Sequence, residues 1–478
     1  MSTKISHSYE LKTLNITKDI GVSGAAGTAG ETTVSLIYSF KDLYLYHDID
    51  QTVTSGEVII QEQGNLVKVF PIMGWERIDI EFNPIDSSSG TYTSYKRSFF
   101  VYAVDEMRDE GDSKTYTIHF ADLAALINVS SRVEHRYIGK AEKIISEICN
   151  ADMFTKHGLK NSSSGSGPAI QLSSTTSTRF DMDFVSPCWK PFDFINKIAS
   201  LAVSSSGTFS DCLFFQQTDG TYHFTDWQTL FSQSTVTFKK YPRSENIIKD
   251  KYVINDYTMR NLYNTQAQAM AGAFGVVAKI FDVSNMSIHT YTNYYYQGDV
   301  GADHGTYSAI GVEKLPEVNN IATPTYTNQL MAPYIRGNSG DPRFSAIKMS
   351  PVGCITVHGT GFSETDIARM AAAGNPNAGE NSLGVSAETA QYAYANGHAC
   401  NINMRAKSVV LTLNPCSDLK LGQLVTIKMA GNESEKTDIK TIDEFLNGIW
   451  FIGKIKYHLT FNEISVNVEC YSTSLGLR

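Results

Sequence analysis

The chain has 478 residues, too many for one ordinary core and enough for about three domains. Its 42% hydrophobic content is enough to build cores, and 25 Tyr, 24 Phe and 35 Gly with only 19% charged residues favour strands and turns over long helices. The net charge of −9 argues against a general nucleic-acid binder, which needs a basic face; an acidic wall could let DNA slide through a channel, but charge alone does not show that use, and most mildly acidic proteins are simply soluble.

Seven cysteines, an odd number spread through apolar runs, predict reduced and buried thiols in a protein that matures in a cytosol. No apolar stretch approaches the length of a membrane span, and Met1–His7 has none of the features of a signal peptide.

In chain order, Tyr9–Ile16 reads as a strand, and Gly21–Glu31 is a Gly/Ala/Ser/Thr-rich arm. Gly24, Gly27 and Gly30 lack the Lys-Ser/Thr of a phosphate loop and carry no nucleotide site. Thr33–Tyr46 and Leu66–Ile72 are β-rich. Gly56–Ile60, Gly74–Phe82, Ser98–Val104 and Lys114–Phe120 follow as strands, with turn tips at Asp86–Gly90 and Arg108–Asp112. The first domain ends near Asn128.

The apolar spacing then turns helical, predicting a helix over about Lys140–Asn150. Asn161–Pro168 is a Ser/Gly linker. Arg179–Phe184 is a strand with Phe180, Met182 and Phe184 inward and Asp181 and Asp183 on a solvated face. Pro191–Ala202 is a second helix, with Pro191 in its first turn. Leu213–Gln216 and Tyr222–Phe224 form a hairpin around Asp219-Gly220. Val253–Met259 is a strand, and Gln266–Ala278 fits either helix or strand. Phe281–Tyr296 is β-rich and is expected to resume a β-domain.

Near the end, Leu421–Met429, Gly448–Leu459 and Glu463–Cys470 keep period two and read as an antiparallel meander with one buried face. The order near the front is similar. Gly56–Ile60 echoes Gly422–Val425, and Lys114–Phe120 takes the place of Glu463–Cys470. A duplicated β-domain is the reading adopted; two unrelated meanders are the bland alternative.

Several features recur in one order: Ser131-Arg132-Val133, then Tyr137-Ile138-Gly139-Lys140 and a helix, then Pro187-Cys188-Trp189-Lys190-Pro191-Phe192-Asp193-Phe194-Ile195, then Phe214-Phe215 and Asp219–Phe224. This ordered set resembles the central baseplate hub protein of T-even-like contractile-tailed bacteriophages, best over residues 98–231. The resemblance implies a homotrimer in which each chain carries two similar β-barrel "tube" domains. Three chains then form a six-fold-like ring that meets the hexameric tail tube on one side and a trimeric central spike on the other.

The expected fold class is therefore β-rich α+β and multidomain. It comprises a first tube domain (1–128), an α+β middle domain (129–240), a discontinuous second tube domain (241–297 and 400–478) and a loop-rich insertion (298–399). The insertion departs from the family pattern; Ser363–Ala373 and Ser386–Asn396 are short helix candidates in it. The expected partners are further copies of the chain, the tail tube protein, the spike, a tape-measure protein and other baseplate subunits, with DNA only in passage. The expected location is the virion tail baseplate, assembled in the host cytoplasm.

The sequence offers little chemistry. Cys354 with His358 and His398 with Cys400 would make four zinc ligands, but neither pair has the usual spacing, and buried thiols and surface histidines explain them. There is no G-x-S-x-G and no H-E-x-x-H. No catalytic, cofactor-binding or metal residue is assigned, and no enzyme activity is expected. The alternatives are a tail-associated cell-wall hydrolase using paired carboxylates and a host-glycan-binding tail protein.

Overall fold

The computed structural model describes residues 4–5, 9–20, 30–63, 66, 70–84, 94–109, 111, 113–150, 172–205, 210–240, 252–261, 275–282, 287–294, 354–359, 401–402, 404–405, 407–429 and 448–472. The first strands are β1 (Lys4–Ile5), β2 (Tyr9–Ile20), β3 (Gly30–Ser35), β4 (Phe40–Asp48), β5 (Ser55–Glu62), β6 (Arg77–Pro84), β7 (Tyr95–Asp109) and β8 (Lys114–Ala121). A mixed stretch follows: α1 (Leu123–Ser130), β9 (Arg136–Lys140), α2 (Ala141–Glu147), β10 (Leu172–Thr175), β11 (Asp181–Val185), α3 (Pro191–Leu201), β12 (Cys212–Gln216), β13 (Tyr222–Asp226) and α4 (Trp227–Phe231). The remaining strands are β14 (Val236–Lys240), β15 (Ile254–Asn261), β16 (Gly275–Asp282), β17 (Ser287–Tyr294), β18 (Cys354–Gly359), β19 (Lys407–Leu413), β20 (Leu424–Met429), β21 (Gly448–Thr460) and β22 (Ile464–Ser472). Most of the described chain is antiparallel sheet, with few helices.

A 14-stranded sheet dominates, its main path running β1-β2-β6-β7-β8-β5-β4-β21-β22-β19-β15. Period-two alternation explains its faces. In β22, Ile464, Val466 and Val468 are buried on one side while Ser465 and Asn467 are half-buried on the other. The apolar faces of both ends of the sheet share one continuous core, from Leu11 and Phe82 to Trp450 and Val468.

The same pairing order occurs twice in this sheet. β4 to β8 lie as β6-β7-β8-β5-β4, and β15 with β19 to β22 lie as β20-β21-β22-β19-β15. The match extends to single residues. Phe100 faces Arg77 on one side and Ala121 on the other; Phe451 faces Leu424 and Tyr471. One rung later a bulge falls in both, at Tyr102 and at Gly453. A second bulge recurs at Lys41 and at Asn255. Trp75 and Gly422 occupy matching positions, both left-handed with φ 69° and 74°. Each donates its N–H across the sheet over 2.8 Å, Trp75 to Val101 O and Gly422 to Ile452 O.

This register revises the echo expected from sequence. Lys114–Phe120 and Glu463–Cys470 do hold the same place, as β8 and β22, but the strand holding Gly56 matches β19, and β20 matches β6. Period two alone cannot separate these alignments, because every strand carries it. The run Leu66–Ile72 forms no strand among its described residues.

A second core is built from α1, α2, α3 and the strands near them, with Ile144, Ile145, Ile195, Ile198 and Phe224 buried together. Helix α3 forms where expected, with Pro191 in its first turn and Phe192, Ile195 and Ile198 turned inward. The helix expected over Lys140–Asn150 is Ala141–Glu147 followed by a π-turn. Ile138, expected on its apolar stripe, lies in β9 and is exposed. Asp183 is not on a solvated face. It is buried in an ion pair with Arg136, whose Nη2 lies 2.6 Å from its Oδ2.

β15 and β19 are antiparallel neighbours, with Asn261 opposite Ser408, so the chain between them connects two adjacent strands at one edge of the sheet. Phe281–Tyr296, expected to rejoin the second β-domain, instead contributes β17 to a separate three-stranded sheet ordered β17-β16-β18. The helix candidates Ser363–Ala373 and Ser386–Asn396 lie outside the described residues, as do His398 and Cys400.

Candidate assembly surface

Strand β21 is the hinge between the two repeats. One edge pairs with β22; the other pairs with β20 over Gly448–Phe451 and with β4 over Lys454–Thr460. At this seam Lys454 Nζ lies 2.9 Å from Asp48 Oδ2, and His458 Nε2 lies 2.9 Å from Asp42 Oδ1. The Tyr44 ring stacks on His458 at 4.3 Å between centroids, and Lys456 lies over the same Tyr44 at 4.4 Å.

A hairpin tip from the second core locks the two repeats from one end. Thr54 N–H donates to Gln216 Oε1 (2.8 Å), and Gln216 Nε2 donates to Asp122 Oδ2 (2.9 Å), which ties the tip to the first repeat. Leu421 N–H donates to Gln217 Oε1 (2.7 Å), and Thr218 Oγ1 donates to Leu419 O (3.1 Å), which ties it to the second. Arg97 completes the junction, with Nη2 3.0 Å from Asp122 Oδ2 and Nη1 donating to Thr218 O over 3.3 Å. Gly220 turns the tip with φ 95°; a Cβ there would lie 2.9 Å from the Arg97 guanidinium.

Among the described residues the outer edge of β7 beyond Val101 and that of β15 past Val253 have no strand partner, and neither do the outer edges of β1 and β3. Asp105–Asp109 are exposed. Large apolar side chains stand beside that edge, with Tyr102 52%, Met107 54% and Trp75 59% exposed. Unpaired edges with exposed aromatics are docking features.

The titratable groups of the interior are structural. Burial, reinforced by the Arg97 charge, lowers His47 from 6.5 to about 3, and its Nδ1 lies 3.1 Å from Thr54 Oγ1. Burial raises Asp211 from 3.8 to about 6, although its carboxylate accepts from Ser204 N–H (2.9 Å) and Oγ (2.7 Å). The two act in opposite directions on stability. His47 contributes stability above pH 6.5 that is lost as pH falls toward about 3; Asp211 contributes stability below 3.8 that is lost as pH rises through about 6. Asp211→Asn should therefore leave stability rising with pH across this range, and His47→Gln should leave it falling between about 4 and 6. Urea unfolding at a series of pH values reads both signs.

Among the described residues no group of three or more His, Cys, Asp or Glu could hold a metal ion. Cys149, Cys212, Cys416 and Cys470 are buried thiols, and Cys188 is an exposed thiol. Among the described residues no helix is long and apolar enough to cross a membrane.

No family model matches the sequence. No curated protein matches it either. Solved structures do. A tail protein from Neisseria meningitidis MC58 aligns over 98% of this chain and 97% of its own, with a TM-score of 0.48 and 9% identity. The 43 kDa tail protein of prophage MuSo2 from Shewanella oneidensis aligns over 97% and 100%, with a TM-score of 0.45 and 9% identity. An E. coli component of the type VI secretion system, described as similar to the T4 bacteriophage tail proteins gp27 and gp5, aligns over 92% and 76%, with a TM-score of 0.38 and 8% identity.

Proposed function

We propose that the chain is a structural baseplate hub subunit of a contractile phage tail. In this reading it assembles as a homotrimer whose pseudo-six-fold ring joins the hexameric tail tube to the trimeric central spike and leaves a lumen for DNA. The observation that carries the reading is the repeat. One strand order, with two bulges and a left-handed residue at matching rungs, is used twice in one chain. A surface present twice per chain and three times by rotation offers six near-equal docking sites, which resolves a mismatch between three-fold and six-fold partners.

In this reading the first unit falls within 1–128 and the second is discontinuous, its described strands being β15 and β19 to β22; 129–240 is the middle domain, and the chain between β15 and β19, with its separate three-stranded sheet, carries an insertion on the partner-facing side. The partners are the tube protein, the spike, a tape-measure protein and other baseplate subunits. The reading assigns no catalysis; the function is geometric, and the net charge of −9 suits a wall that phosphate slides past.

Light scattering with negative-stain imaging tests it. A ring of about 158 kDa, three times the 52.8 kDa chain, is expected. A chain that stays at 52.8 kDa even with the trimeric spike present overturns the reading in favour of a hydrolase or a glycan-binding protein.

A further inference from the structure

The two repeats of one chain meet through β21 and β4, and the repeat has a counterpart for each partner of that seam. Matched rung by rung, the half of β21 that holds β4 corresponds to β7 from Ala103 to Asp109, and β4 corresponds to β15. Both are edges without a strand partner among the described residues, and they are the two that match the internal seam rung by rung. We propose that they join each other between neighbouring copies of this chain. The β7 edge of one copy pairs antiparallel with the β15 edge of the next, placing Arg108 opposite Thr258, Asp105 opposite Asn261 and Asp109 opposite Tyr257. The proposal deepens the hub reading and takes the number of copies from it.

The spacing of the two edges carries the argument. In the internal seam, one residue separates Lys456 from His458, and one separates their partners Tyr46 and Tyr44. At the matching rungs β7 has two residues, Glu106 and Met107, between Asp105 and Arg108. β15 also has two, Met259 and Arg260, between Thr258 and Asn261. An extra residue on one edge alone would shift the ladder by one and turn every later side chain to the wrong face. One extra residue on each edge, at the same rung, keeps the two in step with each other. It also puts each out of step with the internal seam, so neither edge is a good substitute for β4 or β21.

Charge points the same way. The internal seam is closed by His458 against Asp42 at 2.9 Å. By the same rungs His458 corresponds to Arg108 and Asp42 to Asp256. A cation on β7 and a carboxylate on β15 are thus positioned to repeat the pair across copies. Trp75, Tyr102 and Met107 stand exposed beside the β7 edge, the residue types that interfaces enrich. In the second repeat the matching position is Gly422, and there Leu230 closes over the backbone.

Paired cysteines and a charge exchange test this on the full chain, with molecular mass measured on each sample. Facing Cα atoms in an antiparallel ladder lie about 4.5–5.5 Å apart, within disulfide reach. Arg108→Cys with Thr258→Cys should give covalent species of two and three chains on oxidation, and neither single variant should. Arg108→Glu and Asp256→Arg should each weaken association by about tenfold, and the combination should restore it to within about twofold. Both residues are exposed, so unchanged thermal melts should accompany these effects. A chain that trimerises without this cross-link, or with additive losses in the exchanged pair, overturns the seam and leaves the hub reading intact. A chain that neither cross-links nor exceeds one-chain mass with the spike present overturns both.

Discussion

Arg97→Ala is expected to destabilise the fold by about 3–5 kcal/mol, the usual consequence of removing one partner from a buried ion pair. Arg97 is 8% exposed and lies at the point where the hairpin tip meets both repeats. Its loss leaves the Asp122 carboxylate without its cation, held by neutral donors such as the Gln216 amide and the Ala124 N–H, leaves Thr218 O without its guanidinium donor, and opens a void beside Gly220 that the guanidinium now fills. Arg97→Lys keeps the charge but loses the fork, so it should fall between. The Arg97 charge also helps hold His47 low, so removing it raises the folded-state value from about 3 toward 6.5. The window in which acid removes stability should then narrow. Urea unfolding at neutral and mildly acidic pH reads both effects. A variant of unchanged stability would mean that the tip does not hold the repeats together.

The second large effect concerns the rung Gly56–Phe120. A Cβ on Gly56 would stand 2.5 Å from the Phe120 ring and 2.5 Å from Tyr44 O, so Gly56→Val should cost about 3 kcal/mol. Phe120→Cys alone should cost a similar ~3 kcal/mol through the cavity it opens. The matching rung of the other repeat holds Val409 and Cys470, both buried. The small and large partners have exchanged sides, so the double variant reproduces a pair that this backbone already packs. It should be more stable than the sum of the singles by at least ~1 kcal/mol. Simple additivity in thermal or urea unfolding would show that the two rungs are not equivalent environments.

Much of the fold was legible because its signals are local. Ile464, Val466 and Val468 alternate with Ser465 and Asn467, and Pro191 opens an apolar helical stripe. Asp219-Gly220 marked its hairpin. What sequence missed depends on partners distant in the chain. β19 was not singled out, although Lys407–Leu413 is the strand that completes the second repeat. Asp183 reads as a solvated acid until β9 is set beside β11 and brings Arg136 to it. Gln216, Gln217 and Thr218 look like ordinary polar turn flanks, yet they are buried between two repeats. The repeat itself conserves register rather than residues: Trp75 matches Gly422, and Tyr102 matches Gly453. The edges that make the candidate surface could not be read at all, since an unpaired edge is defined by which strands are elsewhere.

The excursion between β15 and β19 leaves the sheet at Asn261 and re-enters opposite it at Ser408. To the ladder, that whole segment is a hairpin loop, and closing a longer loop costs little more than closing a shorter one. The length of that connection can therefore change with little effect on the pairing of β15 with β19.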